Sequence, residues 1–449
     1  MPSHFRPLSG LCRDGDFRRL WAGQAASQFG ERTTQVVLPL IAVLALDADA
    51  TRLGVLRAVE QAPVLLFSLF VGAWVDRRRT RNVMMAADLG RAVALAVVLG
   101  SYLFGALGLP TLIAAAFLVG SLGVVFDVAY QTSLVRLVRR GQLAQANSVL
   151  EGSRSAAQTG GPALGGALAS LLSAPVAAGA GAFLFVLSFL SIRRIRRHEP
   201  LSGRVEEGRK GEGRIDEGPT EEGSAEEPAR IRHRIRAGLR LVAGHPTLRA
   251  VCLASAAFQF FFSAVMTVYL LFLPRGLHLS ATAVGLALAA MGPGAVVGSL
   301  LSARLPGKYG HGLVLVTAAV LADAVLLGVP ALYGSTAGTV FALAGVNFVF
   351  GACSQLVNVT VMAVRQAVTP VPLQGRVVAT VNCVGMGLAP LGSLLGGRLA
   401  GQWGLRTALL VTVIGLSLSP LCMALSPLAR LGKSLAKEPT PPPADASPA

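Results

Sequence analysis

A single carboxylate lies inside the first long apolar run of the chain. Glu31 has Gln24, Gln28 and Gln35 at intervals of three or four residues, which places these side chains on one face of a helix. Polar groups inside a membrane helix are costly unless they face a cavity or a partner. A carboxylate there can gain or lose a proton when its surroundings change between wet and dry. The pattern therefore predicts proton exchange at Glu31.

The role of Glu31 has an alternative, because the fifth apolar run contains an arginine. Arg154 could hold Glu31 in an ion pair that is only structural. We keep Glu31 and Arg154 as the candidate residues for proton coupling. Two further pairs have the helical spacing that favours structural ion pairs, namely Arg57 with Glu60 and Asp88 with Arg91.

The connection between the second and third apolar runs combines glycine, aspartate and several arginines. Gly72 allows two helices to approach closely, and Asp76 at a helix end can accept bonds from free backbone N–H groups or pair with an arginine. Arg77 and Arg81 follow in the same connection, and Asp127 lies near the inner end of the fourth run. We expect charged contacts between helices here.

The elements that carry these residues are membrane helices. The chain has 449 residues, of which 53% are hydrophobic and 14% are charged, a composition far from that of a soluble domain. A helix needs about 20 residues to cross a hydrocarbon core of about 30 Å. The runs are continuous stretches of Ala, Leu, Val and Gly rather than short alternating strands, which predicts an all-α polytopic membrane protein.

Twelve runs are long enough to cross, and we number them as spans 1 to 12. They are residues 20–46, 53–75, 83–104, 109–134, 148–172, 176–192, 248–273, 285–303, 313–332, 339–361, 377–399 and 405–425. Further polar residues occur within them: Gln158 in span 5, Gln259 in span 7, and Asn347, Gln355 and Asn358 in span 10. Such residues either line a path for a polar ligand or hold helices together.

The formal net charge of +17 follows the connections between spans. The even-numbered connections are rich in arginine, whereas the odd-numbered ones contain Arg52, Arg275 and Arg406. The positive-inside rule then places both termini in the cytosol of a multi-pass plasma-membrane protein. A nucleic-acid partner is not expected, because the basic residues do not form one continuous binding face.

A change of composition divides the chain. Residues 193–246 are rich in Gly, Glu and Arg, which predicts a cytosolic linker that is first disordered and then a basic amphipathic helix on the inner membrane surface. A helix packed on the cytosolic ends of the bundle is the alternative to the membrane-surface helix. The linker separates a half of six helices at 1–192 from a second half at 247–428, and residues 429–449 are predicted to be a disordered cytosolic tail.

Enzyme signatures do not occur. The chain has no HExxH or GxSxG motif, and Gly432 to Ser434 cannot form a phosphate-binding loop because Pro427 occupies the position of its first glycine. The five cysteines have no metal-binding or CxxC spacing. We therefore expect no enzymatic activity, no metal and no cofactor.

The chain resembles the major facilitator superfamily, and more narrowly its twelve-span drug:proton antiporters, in the group that contains macrolide efflux proteins and the enterobactin exporter. The pattern between spans 2 and 3 in that superfamily is G-x-x-x-D-R-x-G-R-R, and the chain matches it at Gly72, Asp76, Arg77 and Arg81. It departs from the pattern with Arg79 and Thr80. The resemblance implies a fold of twelve helices in two halves of six.

Two sets of residues receive roles from this resemblance. We interpret Asp76, Arg77, Arg81 and Asp127 as a gating latch that holds the halves together when the protein faces outward; the alternative is that the arginines only fix topology. In span 5, Gly161, Pro162, Gly165 and Gly166 match the core of the antiporter motif, with an ordinary glycine-rich helix as the alternative. A looser copy occurs in span 11 at Pro390, Gly392, Gly396 and Gly397.

The resemblance also implies a substrate cavity lined by spans 1, 7 and 10. We assign to this cavity Gln24, Gln28, Gln35, Gln158, Gln259, Asn347, Gln355 and Asn358. The expected function is export of small amphipathic organic compounds of the drug or antibiotic class, driven by the proton gradient, by a monomer in the bilayer. Alternatives are export of an endogenous metabolite or siderophore, lipid transport, and a receptor or scaffold.

Overall fold

The computed structural model of the protein describes residues 14–76, 78–138, 142–195, 243–369 and 374–432. These residues are almost entirely helical, and no strand occurs among them. Eight of the described helices are long and apolar enough to cross a membrane by length and composition. Spans 1, 2, 5 and 11 form helices of 26, 27, 29 and 30 residues, which are also long enough to cross. The prediction of an all-α membrane protein is confirmed.

Spans 1 to 6 are the helices Gly15–Leu40, Ala50–Asp76, Thr80–Leu103, Leu109–Leu137, Leu143–Leu171 and Ala174–Arg193. Spans 7 to 12 are Pro246–Leu271, Ala281–Ala289 with Met291–Ser302, His311–Leu326, Ala337–Val368, Gln374–Trp403, and Leu405–Leu416 with Leu418–Ala424. Short π-helical segments, Ile41–Ala45 and Phe272–Gly276, extend spans 1 and 7. Most helices extend beyond the apolar runs because polar residues form their first or last turns.

Several helices begin at side chains that satisfy free backbone N–H groups. The Asp14 side chain accepts from the N–H of Asp16 at 3.0 Å, which starts span 1. Ser280 and Thr336 cap spans 8 and 10 in the same way. Proline lies in the first turn of spans 4, 6 and 7, where its missing N–H costs no helical bond.

The spans pack as two bundles of six. In the first bundle span 1 contacts spans 5 and 6, and span 4 contacts spans 2 and 3. In the second bundle span 7 contacts spans 11 and 12, and span 10 contacts spans 8 and 9. The bundles meet where span 2 packs on span 11 and where span 5 packs on span 8.

Among the described residues, buried apolar side chains join the bundles at one end only. One core contains residues of both bundles, such as Leu53 and Val265, and lies at the end opposite the chain termini. We call this the joined end. At the other end, here the terminal end, each bundle has its own core, around Phe126 in the first and Val251 in the second. The bundles are therefore closed on each other at the joined end and separate at the terminal end.

Several predicted segments lie outside the described residues. These are Arg77, most of the linker with its amphipathic helix, and residues 433–449 of the tail. The tail predicted to be disordered begins at residue 429, but its first four residues have a defined structure. Residues 429 and 430 belong to the 3₁₀ helix Pro427–Arg430, and residues 431 and 432 bond to span 9. The N–H groups of His311 and Gly312 at the start of that helix donate to the carbonyl oxygens of Gly432 and Leu431, at 3.1 and 3.0 Å.

Candidate functional site

A cavity of about 350 Å³ lies between the two bundles at mid-length of spans 1, 2, 4, 7 and 11. Its charged lining residues are Glu31, Arg32, Arg57, Glu60 and Asp127. Its polar lining includes Gln35, Gln61, Gln259 and Ser263, and its apolar wall includes Val64, Val119, Val124, Phe262, Met266 and Ala389. One side of the cavity therefore suits a polar or charged group and the other side an apolar one.

Span 1 supplies Glu31 to the cavity because its polar residues share one helix face. Gln35 Nε2 donates to Glu31 Oε1 at 3.3 Å, and Arg32 Nη1 donates to Gln35 Oε1 at 3.1 Å. The ion-pair partner of Glu31 among the described residues is Arg91 of span 3, with 3.9 Å between Nη1 and Oε2. This distance is too long for a hydrogen bond, so Glu31 and Arg91 form a loose ion pair.

The other two carboxylates of the cavity differ from each other. Glu60 Oε2 lies 3.1 Å from Arg57 Nη1, a close ion pair of the kind that the helical spacing predicts. The charge of Asp127 interacts with Glu31 and with several arginines. Its Oδ1 has no hydrogen-bond partner among the described residues. Glu31 and Asp127 are thus the cavity carboxylates without a close ion pair in the described part of the chain.

The alternative pairing of Glu31 with Arg154 is not seen. The charge of Arg154 acts on Asp127, and the arginine in an ion pair with Glu31 is Arg91. Arg91 is not among the described lining residues of the cavity. Its guanidinium lies between the rings of Phe126 and Phe185.

The predicted glutamine and asparagine residues divide into two groups. Gln35 and Gln259 line the cavity. The other predicted residues are absent from its described lining: Gln24, Gln28, Gln158, Asn347, Gln355 and Asn358. None of these six belongs to the described lining, and their contact with substrate stays a prediction.

The reason differs between spans. Gln24 and Gln28 lie toward the terminal end of span 1 and are 3% and 2% exposed, where Gly23 and Gly30 pack span 1 tightly on span 6. Asn347 is fully buried and donates to Tyr269 Oη at 2.7 Å, so it holds span 10 against span 7. Gln158 and Asn358 are exposed, and Gln355 is half-buried outside the cavity.

The gating loop, residues 72–81, lies at the terminal end, where the bundles are separate. No atom of the described residues lies within 4 Å of where a Cβ of Gly72 would be, so a close helix approach at Gly72 stays a prediction. Arg81 donates to the carbonyl of Arg193 at the end of span 6 in its own bundle, a favourable place for a cation. Asp127 lies in the cavity wall, and nothing is described of the Asp76 side chain or of Arg77. A latch between the halves in the opposite conformation stays a prediction.

The glycines of the antiporter motif bring three helices together. A Cβ on Gly161 would lie 2.4 Å from Arg32 Cβ, and Thr33 Oγ1 donates to the Gly161 carbonyl at 3.2 Å, so this side of span 5 packs on span 1. Gly165 faces Thr33 as well, because a Cβ on Gly165 would lie 3.1 Å from the backbone carbonyl oxygen of Thr33. Pro162 and Gly166 face span 8 of the other bundle instead.

This contact between the bundles is repeated by the looser motif copy in span 11. A Cβ on Gly166 would lie 2.6 Å from Gly285 Cα, and a Cβ on Gly397 would lie 2.8 Å from Gly54 Cα. Gly54 and Gly285 occupy the same position, four residues after the first residue of spans 2 and 8. The two glycine pairs are thus equivalent in an internal repeat, and they close the joined end.

Hydrogen bonds join the bundles beside the cavity. Gln61 Nε2 donates to Ser393 Oγ at 3.1 Å, Ser263 Oγ donates to Gln61 Oε1 at 2.9 Å, and the two serine oxygens lie 2.7 Å apart. The sequence shows these residues as polar side chains in apolar runs, and that is the signal which could have identified them. Their meeting depends on which helices of the two halves pair, which no local pattern indicates.

Comparison with known proteins fits this architecture. The family model described as Major Facilitator Superfamily matches residues 20–393. The chain is 27% identical over 391 residues to the multidrug efflux pump Tap of Mycolicibacterium fortuitum, covering 85% of this chain and 88% of that protein.

Solved structures agree in fold. A bacterial homolog of the human lysosomal transporter Spinster, inward-facing, has a TM-score of 0.66 at 15% identity and covers 93% of this chain and 98% of its own. A bacterial homologue of the iron transporter ferroportin, also inward-facing, has a TM-score of 0.68 at 14% identity and covers 91% and 97%. The chain belongs to the Major Facilitator Superfamily and is a membrane transporter, not an enzyme.

Proposed function

We propose that the protein exports small amphipathic organic compounds of the drug or antibiotic class in exchange for protons. The observation that carries this proposal is the mid-membrane cavity, which has an apolar wall and two carboxylates, Glu31 and Asp127, without a close ion pair among the described residues. An apolar body can pack on Phe262 and Met266 while its polar group lies near the carboxylates. The similarity to a multidrug efflux pump supports efflux and this substrate class.

The packing of the bundles supports alternating access. The bundles share a core at the joined end and have separate cores at the terminal end, so the cavity is sealed on one side only. With both termini in the cytosol, as the distribution of arginine predicts, this conformation receives substrate from the cytosol. Separation of the glycine pairs and closure of the terminal end would then expose the cavity to the outside.

Proton coupling needs a carboxylate whose protonation depends on the cargo. In the proposed cycle Glu31 binds a proton while the cavity faces outward and releases it to the cytosol when substrate enters. The proton gradient then drives export, with no cofactor. We further propose that the protein acts as a monomer in the plasma membrane, with the bilayer as its surroundings and no nucleic-acid partner.

Uptake into inside-out vesicles tests this function. An imposed proton gradient, acidic inside, should drive labelled macrolides or cationic dyes into vesicles that contain the wild-type protein. Glu31→Gln cannot exchange a proton, so its gradient-driven uptake should fall to the level of vesicles without the protein. Asp49→Asn is the matched control, because it removes a carboxylate in an exposed loop at the joined end while the amide keeps the oxygen that accepts from Arg52.

Three results would decide the matter. Loss of uptake in Glu31→Gln alone, at equal protein level, supports proton-coupled export through Glu31. Equal uptake by wild type and Glu31→Gln contradicts coupling at this residue. If siderophores, metabolites or lipids move and no drug does, the proposed substrate class is wrong and the alternative cargo takes its place.

A further inference from the structure

A fully buried arginine lies behind the cavity wall. The Arg91 side chain is 0% exposed, and its Nη2 donates to Asp88 and, at 2.9 Å, to Ser27 Oγ. The rings of Phe126 and Phe185 lie over its guanidinium at 4.7 and 4.4 Å. A buried guanidinium is costly unless its charge and its N–H groups find partners. One side of Arg91 meets this requirement through Asp88, Ser27 and the two rings.

The other side of the Arg91 guanidinium lacks such partners among the described residues. Its Nε and Nη1 have no hydrogen-bond partner among the described residues. Nη1 points to Glu31, 3.9 Å from Oε2. The Glu31 side chain is 24% exposed and lines the cavity, whereas the Asp88 side chain is 0% exposed. One guanidinium therefore lies between a carboxylate sealed in the protein and a carboxylate open to the cavity.

We infer that Arg91 is a counterion shared by Asp88 and Glu31, and that the balance between them sets the pH at which Glu31 binds a proton. When Glu31 is ionised, both carboxylates attract Arg91. When Glu31 is protonated, Asp88 is the one carboxylate of the two that still attracts Arg91. Charge interactions at this distance are strong in a weakly polar interior. Arg91 is thus a positioning residue, and the inference rests on the proposed role of Glu31 as the proton carrier.

Other charged groups also act on Glu31, and the test must hold them constant. They are Arg32 beside it on span 1, Glu60 with Arg57 on span 2, and Asp127 on span 4, which itself interacts with Arg154 of span 5. Span 7 contributes the uncharged Gln259 and Ser263 to the cavity. These residues are present in the wild type and in the variants of span 3. The charge of Arg91 also acts on Asp127, so the signal of Glu31 must be distinguished from that of Asp127.

Two neutralising substitutions in span 3 should act in opposite directions. Arg91→Gln removes the positive charge near Glu31, so protonation of Glu31 should occur at higher pH than in the wild type. Asp88→Asn removes the competing carboxylate and leaves Arg91 to Glu31, so protonation should occur at lower pH. Each midpoint should move by about one pH unit or more. A merely structural role would lower the yield of folded protein in both variants without opposite shifts.

Infrared difference titration of the purified protein in liposomes measures this directly. The carbonyl stretch of protonated carboxylic acids is followed against pH, and the Glu31 component is identified by its loss in Glu31→Gln. Arg91→Lys keeps a cation but loses the flat guanidinium between the two rings, so its midpoint should move in the same direction as that of Arg91→Gln and by less. If Arg91→Gln does not fold, Asp88→Asn and Arg91→Lys still carry the test.

The outcomes separate this inference from the proposed function. Opposite midpoint shifts support the shared counterion even if no compound is transported. Unchanged midpoints in Arg91→Gln and Asp88→Asn, or shifts in the same direction, overturn the shared counterion even if transport is intact.

Discussion

Replacing Gly166 with valine should prevent the joined end from closing while each bundle stays intact. A Cβ at this position would lie 2.4 Å from the carbonyl oxygen of Ala281 and 2.6 Å from Gly285 Cα. Both atoms belong to the backbone of span 8 in the other bundle, so neither can rotate away. Non-bonded carbon atoms are in contact at about 3.5 to 4.0 Å, so spans 5 and 8 must separate by about 1 Å.

The size of the effect follows from the packing. Forcing extra atoms into a closely packed contact costs about 1 to 3 kcal/mol. The nearest atoms to the new Cβ all lie in the other bundle, so the cost falls on the conformation that is closed at the joined end. The ratio of closed to open molecules should therefore fall by about 5- to 150-fold.

Distances between spin labels across the joined end would report this change. One label at Asp49→Cys marks the first bundle, and one at Ser335→Cys marks the second, in a chain whose five native cysteines are replaced. Gly166→Val should move the distance distribution toward longer values. Gly345→Val is the matched control, because no atom in the described part of the chain lies within 4 Å of its new Cβ, and its distribution should resemble that of the wild type.

Two results would refute this reasoning. An unchanged distribution in folded Gly166→Val would mean that the glycine contact does not determine closure. An equal shift in Gly345→Val would mean that any added side chain in the bundle has the effect, and the contact with span 8 would lose its special role.

Three further predictions concern contacts elsewhere in the bundles. Gly397→Val should lengthen the same label distances, because its new Cβ would meet the backbone of span 2, just as the new Cβ of Gly166→Val meets the backbone of span 8. Asp47→Asn, which breaks an ion pair with Arg275, should change the free energy of unfolding by less than about 1 kcal/mol in a denaturation assay, since the Asp47 side chain is 97% exposed. Asn347→Leu should lower the free energy of unfolding by about 1 to 3 kcal/mol, because it leaves the buried Tyr269 hydroxyl without its donor. The same substitution should leave substrate preference unchanged in a competition assay.

The sequence predicts the helices well because crossing a membrane is a local requirement. About 20 consecutive apolar residues identify a span wherever its neighbours lie. The ends are less well predicted: span 10 was expected to end at residue 361, and the helix continues to Val368. The added turns include Arg365 and Gln366, and backbone hydrogen bonds continue the helix beyond the apolar run.

The cavity could be predicted only in part. The polar face of span 1 is visible in the spacing of Gln28, Glu31 and Gln35, and two of these three residues line the cavity. Spacing does not indicate which neighbour a polar residue meets, so Asn347 was assigned to the cavity although it bonds to Tyr269.

The contacts of the motif glycines could also be predicted only in part. The motif in span 5 and its looser copy in span 11 are visible in the sequence, but their partners Gly54 and Gly285 are not. Those partners lie in the opposite half of the chain, and only the packing of span 2 on span 11 and of span 5 on span 8 identifies them.

Substrate-triggered proton release tests the central claim most directly. Inside-out vesicles are energised, a macrolide, dye or siderophore is added, and the proton signal is recorded for the wild type and for Glu31→Gln at matched protein levels. Proton-coupled export predicts release on substrate addition in the wild type and none in the variant. Release of equal size in the variant would contradict coupling at Glu31, and absence of release with every compound that is transported would contradict proton antiport.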